Sequence, residues 1–292
     1  MTQAPNPEAD YLARRLGDHL VALIQYGSTV FGETRTGSVH DFWLIVDDIR
    51  AFHLSPAMRA VHVANHDDSI AEHIRLNRTG PNFYAIGDQG LRMKVATIDV
   101  GVFVRLCRDP LYIVKGRMQK PLRVIKSSPE IMAAIAAARR DGVREALNLM
   151  PPEFSFEEFL HALVGLSYRA EIRPELRDAK VTSIVGTGRQ LLEGVYRPLL
   201  EERPEVERLD DHYRDRRCAV ARRRARRRTL RRIRRAKWSL ASLRAIWKNY
   251  RTHAAPLRYL YLKIRGEFEK AFRARNGRGS SNGAGESGTA RP

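Results

Sequence analysis

Gly27, Ser28 and Asp41 are the residues of this chain whose types and spacing could do chemistry together. A strand that ends in Gly-Ser leaves backbone N–H groups and a hydroxyl at a sheet edge, with no side chain to block an approaching phosphate. Thirteen residues after Ser28, Asp41 opens a second apolar run, Asp41-Phe42-Trp43-Leu44-Ile45-Val46-Asp47. A carboxylate at the mouth of a neighbouring strand suits a hard divalent cation that it shares with phosphate oxygens. Position 43, on the same strand face as Asp41 and able to bring a second carboxylate to it, carries Trp43. Asp47 is no substitute, because six residues along a strand span about 20 Å.

A second group of residues is cationic. Lys115, Arg117, Lys120 and Arg123 fall within ten residues of one another, closer than a solvated loop requires. Arginine offers a planar fork for bidentate contact with phosphate, and lysine offers a point charge.

The elements that must position these residues follow from apolar patterning. Leu20-Val21-Ala22-Leu23-Ile24-Gln25 reads as a buried strand ending at the Gly-Ser turn, with the Asp41 run as its neighbour. Ala51 to Asn65 reads as helical, interrupted at Pro56. Asn82–Ile86 and Leu91–Ile98, joined by the glycine-rich Gly87-Asp88-Gln89-Gly90, form a predicted hairpin, and Val100–Cys107 a short helix after it. Leu122–Ile125 is a further strand. From Pro129 the pattern turns helical, with Ile131, Ala134, Ile135 and Ala138 on one face and Pro151-Pro152 as the stop. Ser155-Phe156-Glu157-Glu158 is a capping box for the next helix, and a last one covers Leu191–Leu200. The histidines lack partners at metal-ligand spacing.

The net charge of +19 is confined to one end of the chain. Residues 1–202 hold 25 basic and 25 acidic residues, whereas residues 203–292 hold 27 basic against 8 acidic. The body has the balance of an ordinary soluble enzyme, and the tail is a device for a polyanion. Cys218, Ala221, Ala225, Thr229, Ile233, Ala236, Leu240, Leu243, Trp247 and Tyr250 recur at helical spacing, so one amphipathic helix of about thirty residues is predicted. Arginines crowd its first half, Trp and Leu enrich its second, and a further helix follows Pro256. Basic residues beside Trp and Leu suit the interface of an anionic bilayer, with Arg227, Arg231, Arg234, Trp238, Leu243 and Trp247 as the contact residues; a helix docked on the protein body and an RNA-binding arm are the alternatives.

Two widely separated cysteines, Cys107 and Cys218, suit a reducing compartment. Glu8 and Asp10, with no apolar core segment beside them, give no sign of a signal or transit peptide, so the sequence reads as cytoplasmic.

The Gly-Ser and Asp41 spacing resembles that of polymerase-β-type nucleotidyltransferases. A closer resemblance rests on segments in fixed order: Tyr26-Gly27-Ser28-x-Val30-Phe31, Asp41-Phe42, Leu111-Tyr112, Gly116-Arg117-Met118-Gln119-Lys120-Pro121, Gly165-Leu166-Ser167-Tyr168 and Tyr196-Arg197-Pro198-Leu199. Together they resemble the mitochondrial translocator assembly and maintenance family, the peripheral CDP-diacylglycerol synthases, over about residues 20–202. The resemblance implies an α+β architecture. A nucleotidyltransferase domain with a mixed sheet covers 1–127, and a mainly helical, winged-helix-like domain covers 128–202. Basic amphipathic helices follow at 203–275, with a disordered tail at 276–292. It also implies transfer of CMP from CTP to phosphatidic acid. In that reaction Gly27, Ser28, Lys94, Arg117 and Lys120 bind the nucleotide, and Asp41 is the catalytic ligand of Mg²⁺. A lipid substrate places the protein peripherally on the inner face of the cell membrane. The alternatives are a nucleotidyltransferase that acts on RNA through its basic tail, and an inactive binding protein with a single Asp.

Overall fold

In the computed structural model, residues 6–31, 40–48, 79–86, 92–108, 114–170 and 177–237 are described. They form an α+β fold around a five-stranded mixed sheet of order β3-β4-β2-β1-β5, with a three-stranded sheet of order β6-β8-β7 beside it. Strands β1 (Ala22–Tyr26), β2 (His40–Val46), β3 (Thr79–Ile86), β4 (Arg92–Asp99) and β5 (Leu122–Lys126) make the large sheet. Only β2 and β4 run parallel; β1 pairs antiparallel with β2 and β5, and β3 with β4, as the predicted hairpin requires.

β1 and the body of β2 are buried on both faces, which is why they read as unbroken apolar runs. On one face, Leu23, Phe42, Leu44, Met93 and Val95 meet helix α1 (Pro7–Leu16) through Ala9, Leu12 and Leu16. On the other, Ile24, Tyr26, Trp43, Ile45 and Ile98 meet helices α2 (Val100–Arg108), α3 (Lys115–Met118) and α4 (Pro129–Leu147). The predicted α4 face of Ile131, Ala134, Ile135 and Ala138 is the one buried here.

The N-terminal residues, for which the apolar patterning predicts no element, form α1. Asn6 caps it by accepting from the Ala9 N–H at 3.0 Å, and Pro7 opens its first turn. Burying Leu12 and Leu16 fully stabilises the domain by about 1.5–3 kcal/mol each.

The second core gathers the end of α4, α5 (Phe156–Ala170), α6 (Arg177–Glu201) and the small sheet. The capping box at the head of α5 forms as expected: Glu158 N–H donates to Ser155 Oγ at 3.2 Å, and Ser155 N–H to Glu158 Oε2 at 2.7 Å. Residues after 203, expected to be helical, open instead with a hairpin of β7 (Val206–Leu209) and β8 (His212–Asp215), which pairs with β6 (Glu153–Ser155). Its turn uses Asp210 at a φ of 36°, and Tyr213 stacks on Phe154 with ring centroids 5.9 Å apart. The high charge of this stretch concealed a short alternating pattern. The basic helix α7 begins only at Ala219 and is described to Lys237. It docks on the second core through Thr229, Ile233 and Ala236, which leaves most of its arginines exposed. The region read as helical at 51–65 and the chain beyond Lys237 lie outside the described residues.

Candidate active site

The antiparallel pairing of β1 with β2 sets Tyr26 opposite Asp41, which brings the turn after β1 against the mouth of β2. Gly27 makes this contact possible in two ways. Its φ of +90° is a conformation that L side chains rarely adopt, and a Cβ there would lie 2.8 Å from Asp41 Oδ2. The carboxylate therefore lies directly over bare backbone. Ser28 starts the helical turn Ser28–Phe31, so the Gly-Ser segment and Asp41 come together as expected.

A buried polar chain fixes that turn from behind. Asn6 Nδ2 donates to Gln25 Oε1 at 2.7 Å, and Gln25 Nε2 donates to Thr29 Oγ1 at 3.2 Å. Gln25 Nε2 also lies 3.3 Å from His40 Nδ1, next to Asp41 in sequence. In the sequence Gln25 is only the last residue of an apolar run. A lone amide in a strand buried on both faces was the available signal, since such a group must find partners.

Arg117 reaches the same place from α3. Its guanidinium carbon lies 4.9 Å from the Tyr26 ring centroid and 5.9 Å from that of Trp43, and the two rings are 6.0 Å apart. Burial holds the Tyr26 phenol above its ordinary pKa against the opposing pull of Arg117, and the Asp41 charge adds to the rise. Asp41, Tyr26 and Arg117 thus share one electrostatic neighbourhood. The phenol there stays neutral at physiological pH and adds no second anion.

The α3 turn is clamped on several sides. A Cβ on Gly116 would lie 2.3 Å from that of Ser167, and one on Gly142 would lie 2.6 Å from Gln119 Nε2. Arg139 Nε donates to the Met118 carbonyl at 3.2 Å, and Lys120 Nζ sits 4.0 Å from the Tyr168 ring centroid. The Gly-Arg-Met-Gln-Lys and Gly-Leu-Ser-Tyr segments therefore meet residue by residue. Close Gly116–Ser167 packing and the Lys120–Tyr168 contact account for two of the residue types in each.

The four cations of this stretch divide into different roles. Lys115 is 2% exposed and pairs with Asp141 at 3.3 Å and Glu145 at 3.4 Å, so it is an internal anchor. Arg123 lies opposite Gln25 in the β1–β5 register, on the face covered by α1 and away from Tyr26 and Asp41. Arg117 and Lys120 remain as candidates for an anionic substrate. Lys94 is the β4 register partner of Asp41. Of the proposed membrane residues, Arg227, Arg231 and Arg234 are exposed on α7, while Trp238, Leu243 and Trp247 lie outside the described residues.

Among the described residues no group of three or more His, Cys, Asp or Glu could hold a metal ion. Trp43, where a second carboxylate was sought, is buried in the core beside Tyr26, and its indole N–H has no acceptor among the described residues. One carboxylate beside a glycine turn fits a Mg²⁺ ion that arrives with a triphosphate, since Mg²⁺ is commonly held by one or two carboxylates plus phosphate oxygens. A separate cleft of about 1330 Å³ between α5, α6 and the β7–β8 turn has Tyr168 in its wall but not Asp41. In its wall Arg189 pairs with Glu157, and Arg197 is held by Glu193. Among the described residues no helix is long and apolar enough to cross a membrane.

The family described as mitochondrial phosphatidate cytidylyltransferase matches residues 11–253. Proteins of that name are similar from Caenorhabditis briggsae (33% identical over 92 residues, 30% of this chain), Homo sapiens (29% over 123, 40%) and Drosophila melanogaster (25% over 202, 60%). These alignments span 29%, 27% and 54% of the relatives' own lengths. The names overturn the expectation of a cytoplasmic protein on the inner face of the cell membrane, because they point to mitochondria. That expectation rested on seeing no leader, and an absence of that kind carries no location.

Proposed function

The chain belongs to the mitochondrial phosphatidate cytidylyltransferase family, and from that premise we propose that it transfers CMP from CTP to phosphatidic acid, giving CDP-diacylglycerol and pyrophosphate. The observation that carries the site is the convergence of Gly27, Asp41 and Arg117 around the Tyr26 ring. The five-stranded sheet with its helices is the nucleotidyltransferase unit, and the second core with its small sheet is of winged-helix type.

The lipid phosphate oxygen attacks the α-phosphorus of CTP, a new P–O bond forms, and the α–β bond breaks to release pyrophosphate. A phosphate monoester has a second pKa of about 6, so the nucleophile is mostly ionised at pH 7. It needs positioning and charge screening more than a general base. The Gly27-Ser28 backbone receives the triphosphate. Arg117, oriented by the Tyr26 and Trp43 rings, offers its fork to phosphate oxygens, and Lys94 and Lys120 add charge. Asp41 would hold a Mg²⁺ ion together with the triphosphate, and such an ion would supply neutralisation of the charge that develops as pyrophosphate leaves. The exposed arginines of α7 bring the body to an anionic membrane surface.

The test is purified protein with Mg²⁺, phosphatidic acid vesicles and each of the four nucleoside triphosphates in turn. CDP-diacylglycerol formed with CTP supports the proposal. No lipid product with any nucleotide, together with nucleotide addition to RNA, overturns it in favour of the RNA alternative.

A further inference from the structure

Three charged groups from three helices meet at one buried oxygen. Glu145, on α4, is 2% exposed, and its Oε1 lies 3.4 Å from Lys115 Nζ and 3.3 Å from Arg232 Nη1. Lys115 opens α3, two residues before Arg117, and its ammonium also reaches Asp141 at 3.3 Å. Arg232 belongs to the basic helix α7, three residues after Thr229 and next to Ile233, which dock into the second core. Neither the candidate chemistry at Asp41 nor attachment by exposed arginines makes use of this cluster.

We propose that Glu145 is a positioning residue that makes the placement of the Arg117 turn depend on the docking of the basic helix α7. A buried carboxylate needs its charge matched by nearby donors. With Arg232 present, Glu145 Oε1 shares two cations, and Lys115 is held between Glu145 and Asp141. Without Arg232, Lys115 carries a larger share of the match and is drawn from Asp141 toward Glu145. The backbone of residue 115 moves with it, and the tight Gly116–Ser167 contact leaves α3 no slack to absorb the shift. The opposite side of α7 presents Arg227, Arg231 and Arg234 to a surface, so one helix faces both a polyanion and the anchor of the active-site turn. Binding of that surface is thereby linked to the geometry of Arg117. Such linkage is reciprocal.

The activity arm of the test rests on the cytidylyltransferase proposal; the exchange arm does not. Arg232→Ala is made in the full chain, where the half-exposed side chain permits folding, alongside Arg232→Lys and Glu145→Gln. Arg189→Ala, which breaks an exposed ion pair elsewhere, serves as the control. Amide hydrogen exchange of residues 115–120 is followed without substrate, and kcat and KM for CTP are measured with a short-chain, soluble phosphatidic acid. Arg232→Ala is expected to speed exchange in that segment and raise KM about tenfold, with kcat changed far less, in the usual range of coupling between sites. Arg232→Lys restores both. In the Glu145→Gln background Arg232→Ala adds nothing further, which a merely structural role would not produce. Unchanged exchange at 115–120 in Arg232→Ala, or the same effect in the Glu145→Gln background, overturns the proposal. If the unaltered protein turns over no CTP, the cytidylyltransferase proposal fails, and the exchange result alone decides the coupling.

Discussion

Gly27 has no room for a Cβ because the Asp41 carboxylate occupies it, 2.8 Å from where that atom would stand. Gly27→Ala therefore costs backbone strain at φ +90° and pushes the carboxylate from the turn. The expected stability loss is about 1–3 kcal/mol, read as a lower Tm. Turnover should fall much further than the folded fraction does. Equal activity per folded molecule would show that the turn and Asp41 need no close approach.

Asp41→Asn keeps the size and the strand but removes the charge. Its fold should hold, with Tm near that of the unaltered protein, while turnover drops by orders of magnitude, because metal-aided charge stabilisation contributes several kcal/mol. An unchanged rate in a properly folded variant excludes Asp41 as the central ligand.

Arg117→Ala and Lys115→Ala should separate, although the two residues stand two positions apart. Arg117 lies against the Tyr26 ring beside Asp41, so its loss should raise KM for CTP with little change in Tm. Lys115 is buried between two carboxylates, and removing it should cost about 3–5 kcal/mol, visible as early melting. Arg117→Lys should recover little, since a point charge does not reproduce the fork. The opposite pattern, early melting for Arg117→Ala and normal Tm for Lys115→Ala, would reverse the two assignments.

Much of this site was legible in the residues themselves. Glycine before a strand-mouth Asp, and Arg-Met-Gln-Lys after Gly116, indicate close approach and cationic contact without any coordinates. The division among the cations was not legible. Spacing grouped Lys115, Arg117, Lys120 and Arg123, and only the pairing of β5 with β1 and the packing of α3 on α4 assign one to the interior and one to the opposite face. Gln25 escaped notice because its partners Asn6 and Thr29 come from different elements. The hairpin at 206–215 was lost under its charge, because strand alternation over four residues is too short to stand out against an arginine-rich background.

The thiols give an independent check on the core. Burial pushes Cys107 up to about 12, whereas Cys218 is exposed. A thiol reagent at pH 8 should label Cys218 in the folded protein and both cysteines in denaturant. The folded state favours the neutral Cys107 thiol and the unfolded chain ionises first, so this group's contribution to stability is lost as pH rises from about 9 toward 12. Rapid labelling of Cys107 in the native protein would contradict its place on the buried face of α2.

The basic tail demands a more selective deletion than its composition suggests. Removing everything from residue 203 also removes Tyr213, Ile233 and Ala236 from the second core, so the remainder should unfold. Deleting 238–292 leaves α7 docked and the whole candidate site present, and it takes away Trp238, Leu243 and Trp247. That variant should still bind CTP and use a short-chain phosphatidic acid, but bind vesicles more weakly. Replacing Arg227, Arg231 and Arg234 together with Gln should weaken vesicle attachment further, by about 1 kcal/mol for each charge at physiological salt. The shortfall should grow smaller as salt rises, because the lost attraction is screened. Vesicle flotation across a salt series, with and without anionic lipid, measures it. Full flotation of the shortened, charge-neutralised protein, or a preference of the intact chain for RNA over anionic vesicles, would remove the membrane role from this helix.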